Sequence, residues 1–334
     1  MKICFLLEDT KRATKNSSGS QKPNFIEEQA KLIQSIHCLK QYDSLIIDDH
    51  SQLIPALKSG SINLLFNICD LGYMGNSKLD PHLIALCDIY NVPYLGKNLR
   101  CHHYTNDKNT VSHLAKALGI SVPNEVYLQG NEIEGDNTYD FPSILKPAHA
   151  HESAFLSEYS IVNNKEELIA HYKKIRSVTT EPVILQQFIP SEEVSVGMIG
   201  NDADFLDLPL LEIDYSKLPT ELPKIITESA KKRSEHCVYA QTIGYKKADL
   251  KPETVKKIYD LSKRLFKRLF FKDYARFDWR LDEHGEPFLI EVNANPGVMP
   301  WGYLSFIAGY AGMTHVDLLD AIIQTGIKRL NQDQ

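Results

Sequence analysis

The chain has 334 residues, 43% of them apolar and 24% charged, with a formal net charge of −6. That is a globular composition with room for two or three subdomains; the acidic balance gives no reason to expect nucleic acid as a partner, and no apolar run approaches the length of a membrane span. Six cysteines (Cys4, Cys38, Cys69, Cys87, Cys101 and Cys237) are scattered without Cys-x-x-Cys spacing, which points to reduced thiols and a cytoplasmic location.

The opening Met1-Lys2-Ile3-Cys4-Phe5-Leu6-Leu7 is too short an apolar run for a signal peptide and reads as a first strand. Apolar runs at 2–7, 44–48, 63–69 and 92–95 predict buried parallel strands, and 25–39, 82–90 and 107–118 predict the helices between them. Together they make a small α/β domain over residues 1–100. A second unit follows, with strands predicted at 143–146 and 183–188 and a helix at 165–175. Residues 206–250 are rich in Lys, Glu, Ser and Pro with weak periodicity, which predicts long connections or a mobile loop. The segment 255–270 predicts an amphipathic helix with Val255, Ile258, Leu261, Leu265 and Leu269 on one side, and 315–330 a closing helix.

Between those last two helices lies the most informative stretch, Arg276-Phe277-Asp278-Trp279-Arg280-Leu281 and Phe288-Leu289-Ile290-Glu291-Val292-Asn293, joined by Asp282-Glu283-His284-Gly285-Glu286-Pro287. A turn centred on His284-Gly285 sets Asp278 opposite Glu291 and Arg276 opposite Asn293, since the two pairs share one sum of residue numbers. Period-two alternation then puts these four side chains on one face and Phe277, Trp279, Leu281, Phe288, Ile290 and Val292 on the other. The apolar face buries itself, so the polar face looks into a cleft. Two carboxylates and an amide oxygen make a site for a hard cation such as Mg²⁺, with Arg276 free to hold a developing negative charge. A polar face that is merely solvated is the plain alternative.

Asn106-Asp107-Lys108, then Pro142-Ser143-Ile144-Leu145-Lys146-Pro147, then Val183-Ile184-Leu185-Gln186-Gln187-Phe188 with Glu193, then Arg276-Phe277-Asp278 and Glu291-Val292-Asn293-Ala294-Asn295-Pro296-Gly297 resemble, in order and spacing, the ATP-grasp superfamily and within it the D-alanine–D-alanine ligase family. The resemblance runs from residue 64 through the last helix. It implies an α/β ATP-grasp fold in which a parallel-sheet N-terminal domain (1–100) precedes two subdomains, 101–186 and 187–334, that clasp ATP. It further implies ATP and Mg²⁺ (or Mn²⁺) as cofactors, small acid and amine substrates, a homodimer through the first domain, and an acyl-phosphate route to a C–N bond.

Residue by residue, the resemblance gives Lys108 and Lys146 to the ATP phosphates, Gln186, Gln187 and Phe188 to the adenine hinge, and Glu193 to the ribose hydroxyls. Asp278, Glu291 and Asn293 become the metal ligands, and Arg276 and the Gly297 N–H the oxyanion donors. Where the family carries an acid, Gln186 can still accept from the adenine amino group. Ile290 packs under the base or belongs to the core, and the core is favoured. Lys231 is either a mobile-loop contact to the γ-phosphate or part of a solvated charge run.

Three departures bear on the substrate. The phosphate-covering loop, 148–157, holds His149 and His151 and no glycine, so His149 and His151 are candidates for phosphate or an acidic substrate. The first domain lacks the family's Ser-x-Glu pattern, leaving Glu27 or Glu28 as substitutes for holding an amino group. The position where the family places a serine for the second substrate's carboxylate is Gly302. The expectation is therefore an ADP-forming carboxylate–amine ligase of specialised metabolism, with a D-alanine–D-alanine ligase as the nearer rival and a non-catalytic ATP-binding protein as the more distant one.

Overall fold

Three parallel strands open the chain: β1 (Lys2–Leu6), followed by α1 (Thr10–Ala13) and α2 (Phe25–Cys38), then β2 (Asp43–Ile47), α3 (Leu53–Lys58), β3 (Leu64–Asn67) and α4 (Asp80–Ile89). The computed structural model describes residues 1–13, 25–69, 72–130, 133, 139–149, 156–202, 204–231 and 237–332. The sheet order is β2-β1-β3, with Ile3 beside both Ser44 and Leu64. Ile3, Cys4, Phe5 and Leu6 are all fully buried, as a parallel strand covered on both faces requires. Ile3 and Phe5 meet Leu32 and Ile36 of α2 on one side, while Cys4 and Leu6 meet Leu53 and Leu83 on the other. The run predicted as a strand at 92–95 contributes only one bridge, Tyr94 to Leu65. Pro93 has no N–H to extend the ladder.

Next come α5 (Leu99–Thr105) and α6 (Lys108–Ala117), then β4 (Glu125–Leu128), β5 (Ser143–Pro147), β6 (Ile161–Val162), α7 (Lys165–Arg176) and β7 (Val183–Gln187). Asp107 caps α6 by accepting from the Asn109 N–H, which fixes Lys108 as the first helical residue. The four strands form an antiparallel sheet in the order β4-β7-β5-β6, and α7 covers it with Leu168, Tyr172 and Ile175.

The remaining elements are β8 (Glu193–Asn201), β9 (Asp204–Phe205), β10 (Leu211–Asp214), α8 (Glu228–Lys231), α9 (Val238–Thr242), β11 (Gly244–Lys247), α10 (Pro252–Arg268), β12 (Tyr274–Leu281), β13 (Pro287–Asn293), α11 (Tyr303–Tyr310) and α12 (His315–Gln332). The third sheet runs β11-β10-β8-β12-β13, with β9 attached to β8. Part of the 206–250 segment is thus sheet rather than loop: β10 and β11 pair from Leu211 opposite Lys247 to Asp214 opposite Gly244. Leu211 and Ile213 are buried between the more exposed Glu212 and Asp214, an alternation only four residues long that tertiary pairing turns into a strand.

Helix α10 lays Ile258, Leu265 and Phe266 against the hairpin's apolar face, and the Trp279 indole N–H donates to Ser262 Oγ at 3.2 Å. The fully buried Asp273 joins the units: it accepts from Arg329 Nε and Nη2 (2.8 and 2.9 Å), from Asn201 Nδ2 (3.1 Å) and from the Gly96 N–H (3.1 Å). A buried carboxylate is tolerated only when its lone pairs are filled in this way. Among the described residues no single helix is long and apolar enough to cross a membrane.

Candidate functional site

Strands β12 and β13 pair Arg276 with Asn293 and Asp278 with Glu291, as the spacing predicts. They reach that register by two irregularities. The turn holds three residues, 283–285, with the Gly285 N–H donating to Asp282 O at 3.0 Å and Gly285 at φ +80°, so near the turn Leu281 faces Pro287 and Trp279 faces Leu289. A bulge between Asp278 and Trp279 then leaves Ile290 without a partner and restores the outer pairing. The core side of the hairpin is accordingly Phe277, Trp279, Leu281, Leu289 and Val292. Phe288 moves opposite Arg280, and Ile290, expected in the core, turns into the cleft.

Asp278 is only 8% exposed. Its Oδ1 accepts from Ser195 Oγ at 2.6 Å and Arg276 Nε at 2.9 Å, and its Oδ2 from Arg276 Nη2 at 3.0 Å and Asn293 Nδ2 at 2.9 Å. Arg276 is therefore a bidentate partner of Asp278 rather than a free cation, and its guanidinium lies 4.7 Å from the Tyr303 ring centroid. Burial opposes the Arg276 charge, but Asp278 more than offsets it and the pKa rises, so the group stays charged at any working pH. Across the hairpin, Glu291 Oε1 sits 3.3 Å from Lys108 Nζ.

Two carboxylates and an amide from adjacent strands, each carboxylate facing a cation, fit a hard divalent ion that shares its oxygens with a phosphate. Among the described residues no group of three His, Cys, Asp or Glu side chains could hold a metal unaided. An ion held here would rely on Asp278, Glu291, Asn293 and the phosphates it neutralised.

Lys146 lies on β5, 7% exposed, and donates to Gln186 Oε1 at 2.9 Å. Burial, helped by the nearby Lys108 charge, pushes its ammonium down to about 8 against the pull of Glu291, Glu125 and Glu193. Gln186 is itself 2% exposed and donates from Nε2 to Glu125 Oε2 at 3.0 Å. Its oxygen, assigned above to the adenine amino group, already accepts from Lys146.

Lys108, Lys146, Gln186, Gln187, Phe188, Glu193, Arg276, Asp278, Ile290 and Glu291 all line one cleft enclosing about 880 Å³, open mouth included. Glu193 Oε2 accepts from Tyr215 OH at 2.9 Å and Arg280 Nη1 at 3.1 Å, and the Arg280 guanidinium sits 4.8 Å from the Phe188 centroid. Apolar walls come from Ile144, Leu156, Ile225 and Ile226. Sequence reasoning assigned no role to Glu125, Ser195, Arg280, Tyr303, Ile225 or Ile226. The apolar pair Ile225-Ile226 inside a polar stretch was a usable signal, and Arg280 stands two residues beyond Asp278 on the same strand face.

Asn293 joins the site through Asp278. Gly297 and Gly302 lie past β13, in the turn that leads to α11, where the Gly302 N–H donates to Met299 O at 2.7 Å. A Cβ on Gly302 would stand 2.7 Å from Gly297 O and 3.1 Å from Met299 O. His149 stands outside the cleft lining, with Nδ1 3.2 Å from Glu181 Oε2. Glu27 is exposed and pairs with Lys31 at 2.9 Å. Lys231 ends α8, and its side chain, like His151, lies outside the described residues.

Residues 114–324 match the sequence model of the family described as D-ala D-ala ligase C-terminus. The uncharacterized protein y4sG of Sinorhizobium fredii is 27% identical over 80% of this chain and 75% of its own length. A D-alanine–D-alanine ligase of Aquifex aeolicus is 27% identical over 72% of this chain and 75% of its own. Among solved structures, the D-alanine–D-alanine ligase of Bacillus anthracis complexed with ATP superimposes with a TM-score of 0.73 at 21% identity, covering 100% of both chains. The fold is ATP-grasp.

Proposed function

The chain belongs to the D-alanine–D-alanine ligase family, and from that premise we propose that it joins a small acid to an amine other than the D-alanine pair, in specialised metabolism. It is an ATP-dependent, ADP-forming ligase of C–N bonds that works with ATP and Mg²⁺ on small-molecule substrates. In this reading residues 1–100 serve the first substrate, 101–186 and 187–334 clasp ATP, and two copies associate through the first domain.

The substrate carboxylate attacks the γ-phosphate of ATP, giving an acyl phosphate and ADP; the amine then attacks the acyl carbon, and phosphate leaves. The first step is a matter of position and charge. Lys146 and Lys108 neutralise phosphate oxygens, while Phe188, Ile290, Ile144 and Ile226 supply apolar surface for the base, and Glu193, held by Tyr215 and Arg280, takes the ribose hydroxyls. Asp278, Glu291 and Asn293 would hold a Mg²⁺, which would supply further charge neutralisation at the phosphates. For the second step, Arg276 and the Gly297 N–H face the oxyanion of the tetrahedral intermediate.

The observation that carries the choice of substrate is Gly302. In this turn a serine has no room, because its Cβ would meet Gly297 O at 2.7 Å. The acceptor is therefore recognised without the hydroxyl that a D-alanine carboxylate would use. The test is ADP release with Mg²⁺-ATP against D- and L-amino acids, other small acids and short peptides, singly and in pairs, with product masses read alongside. Release that requires an acid–amine pair other than D-alanine supports the reading; turnover with D-alanine alone would establish the cell-wall reaction instead. ATP binding without any stimulated release would point to a non-catalytic role.

A further inference from the structure

Glu125 belongs to none of the motifs, yet it touches the supports of both phosphate lysines. It lies on β4 directly opposite Gln186 of β7. Its Oε1 accepts from Asn109 Nδ2 at 2.7 Å, and its Oε2 from Ser112 Oγ at 3.1 Å and Gln186 Nε2 at 3.0 Å. Asn109 follows Lys108 in the first turn of α6, and Gln186 Oε1 accepts from Lys146 Nζ at 2.9 Å. One carboxylate is thus tied by one residue to Lys108 and by one residue to Lys146.

We infer that Glu125 is a positioning residue that sets both phosphate-binding lysines at once, through α6 on one side and through the Gln186 amide on the other. This rests on the assignment of Lys108 and Lys146 to the ATP phosphates.

The chemistry of the donors fixes the direction of the chain of bonds. An ammonium only donates and a carboxylate only accepts, so Gln186, caught between them, must present its oxygen to Lys146 and its NH₂ to Glu125. Besides Glu291 and Glu193 in the cleft, Lys146 thus has a negative charge one strand back, relayed by an amide dipole. Inside a sheet, where polarity is low, such a relay orients the ammonium more firmly than solvent does. The same carboxylate also holds the first turn of α6 against β4, so Lys108 cannot shift without loosening Lys146. Residues 125 and 186 form a charge pair in which the negative charge occupies one of two adjacent places. Carboxylates at both would repel at hydrogen-bonding distance, and amides at both would take away the counter-charge that reaches Lys146 through this chain of bonds.

The test is the transposition. Glu125→Gln, Gln186→Glu and the double variant are compared with the unmodified protein by calorimetric titration with Mg²⁺-ATP and, separately, with adenosine, which lacks the phosphates. Each single variant is expected to weaken ATP binding about tenfold, and Glu125→Gln, whose side chain stands behind the cleft lining, to change adenosine binding less than twofold, in line with the effect of removing a group that orients a ligand. The double variant is expected to recover ATP affinity to within about threefold, since the amide introduced at position 125 then donates to the carboxylate introduced at position 186, which accepts directly from Lys146. Equal loss of ATP and adenosine binding in Glu125→Gln, or a double variant as weak as the product of the two singles, overturns the inference. Should Glu125→Gln not fold, Asn109→Ala cuts the α6 arm alone, and unchanged ATP affinity there counts against it equally. An unmodified protein that binds no ATP would instead overturn the nucleotide assignment itself.

Discussion

The phosphate end of the cleft and the turn after β13 are built in opposite ways. At the end of the cleft proposed for the phosphates the charged side chains lean on one another: Arg276 on Asp278 of the same strand, and, between elements, Asp278 on Ser195, Lys108 on Glu291 and Lys146 on Gln186. Such groups are preorganised, and they are costly to disturb because each is buried with its partner. The turn at 297–302 is held by its main chain instead: Ser305 Oγ donates to Met299 O and His315 Nε2 lies against Val298 O, both at 2.7 Å, and Gly302 is packed where a side chain cannot enter. Charge chemistry thus rests on paired side chains while acceptor recognition, as proposed, rests on the main-chain shape of a turn, so the two regions can change independently.

The sharpest way to break that contrast is at Asp278. Asp278→Asn keeps the shape but removes the charge that faces Arg276 and, as proposed, would hold the metal. ADP release is expected to fall by roughly 10³-fold, about 4 kcal/mol of transition-state stabilisation. Thermal stability should fall as well, because Arg276 is left without its counter-charge in a largely buried site, so activity is compared at a temperature where the variant remains folded. A variant that keeps more than a tenth of the activity would show that this carboxylate does not carry the metal.

The opposite end is probed by Gly302→Ser. Forcing a Cβ to 2.7 Å from Gly297 O overpacks the turn. The expected cost is about 1–3 kcal/mol, read as a melting temperature lower by several degrees together with a raised KM for the acceptor. The Kd for ATP should stay within twofold. If the serine were accommodated and D-alanine became an acceptor, the turn would be less constrained than its packing indicates.

The contrast also explains what the chain's letters reveal. The polar face of β12 and β13 was legible because alternation is a local property, and Asp278 opposite Glu291 follows from counting. Yet the count succeeds only because the three-residue turn at 283–285 and the bulge at Ile290 cancel. Nothing in Phe288-Leu289-Ile290 marks which residue bulges, so Ile290 was expected in the core and is found in the cleft. Strands β10 and β11 were invisible because four residues carry too little pattern, and Pro, Lys and Ser dominate their surroundings. Glu125 was missed for another reason: its significance comes from facing Gln186, 61 positions away, and no local pattern encodes that register. Residues that act along a strand can be read from sequence; those that act between strands cannot.

The mildest test separates Lys146 from the rest of the site by pH. Burial holds the Lys146 ammonium down to about 8, well below the ordinary value for lysine. Bound phosphate would raise it again, because an opposite charge favours the protonated form. Well below pH 8 the lysine is protonated with or without ATP, so this group leaves affinity flat. Above pH 8 the free protein has lost the proton and must take it up on binding, so affinity falls by up to about tenfold per pH unit until the pH reaches the raised value in the complex. For folding the sign is reversed. Between about pH 8 and the ordinary lysine value the unfolded chain binds more protons than the folded one, so this group's destabilising contribution fades as pH rises through that window. Titration calorimetry at pH 7.5 and 9, in two buffers of different ionisation heat, counts the protons directly. Uptake of most of a proton at pH 9 and only about a quarter of one at pH 7.5 is expected. Lys146→Met should bind ATP more weakly at both pH values and lose the uptake. Equal uptake in Lys146→Met would assign the proton to another group and leave Lys146 a plain point charge.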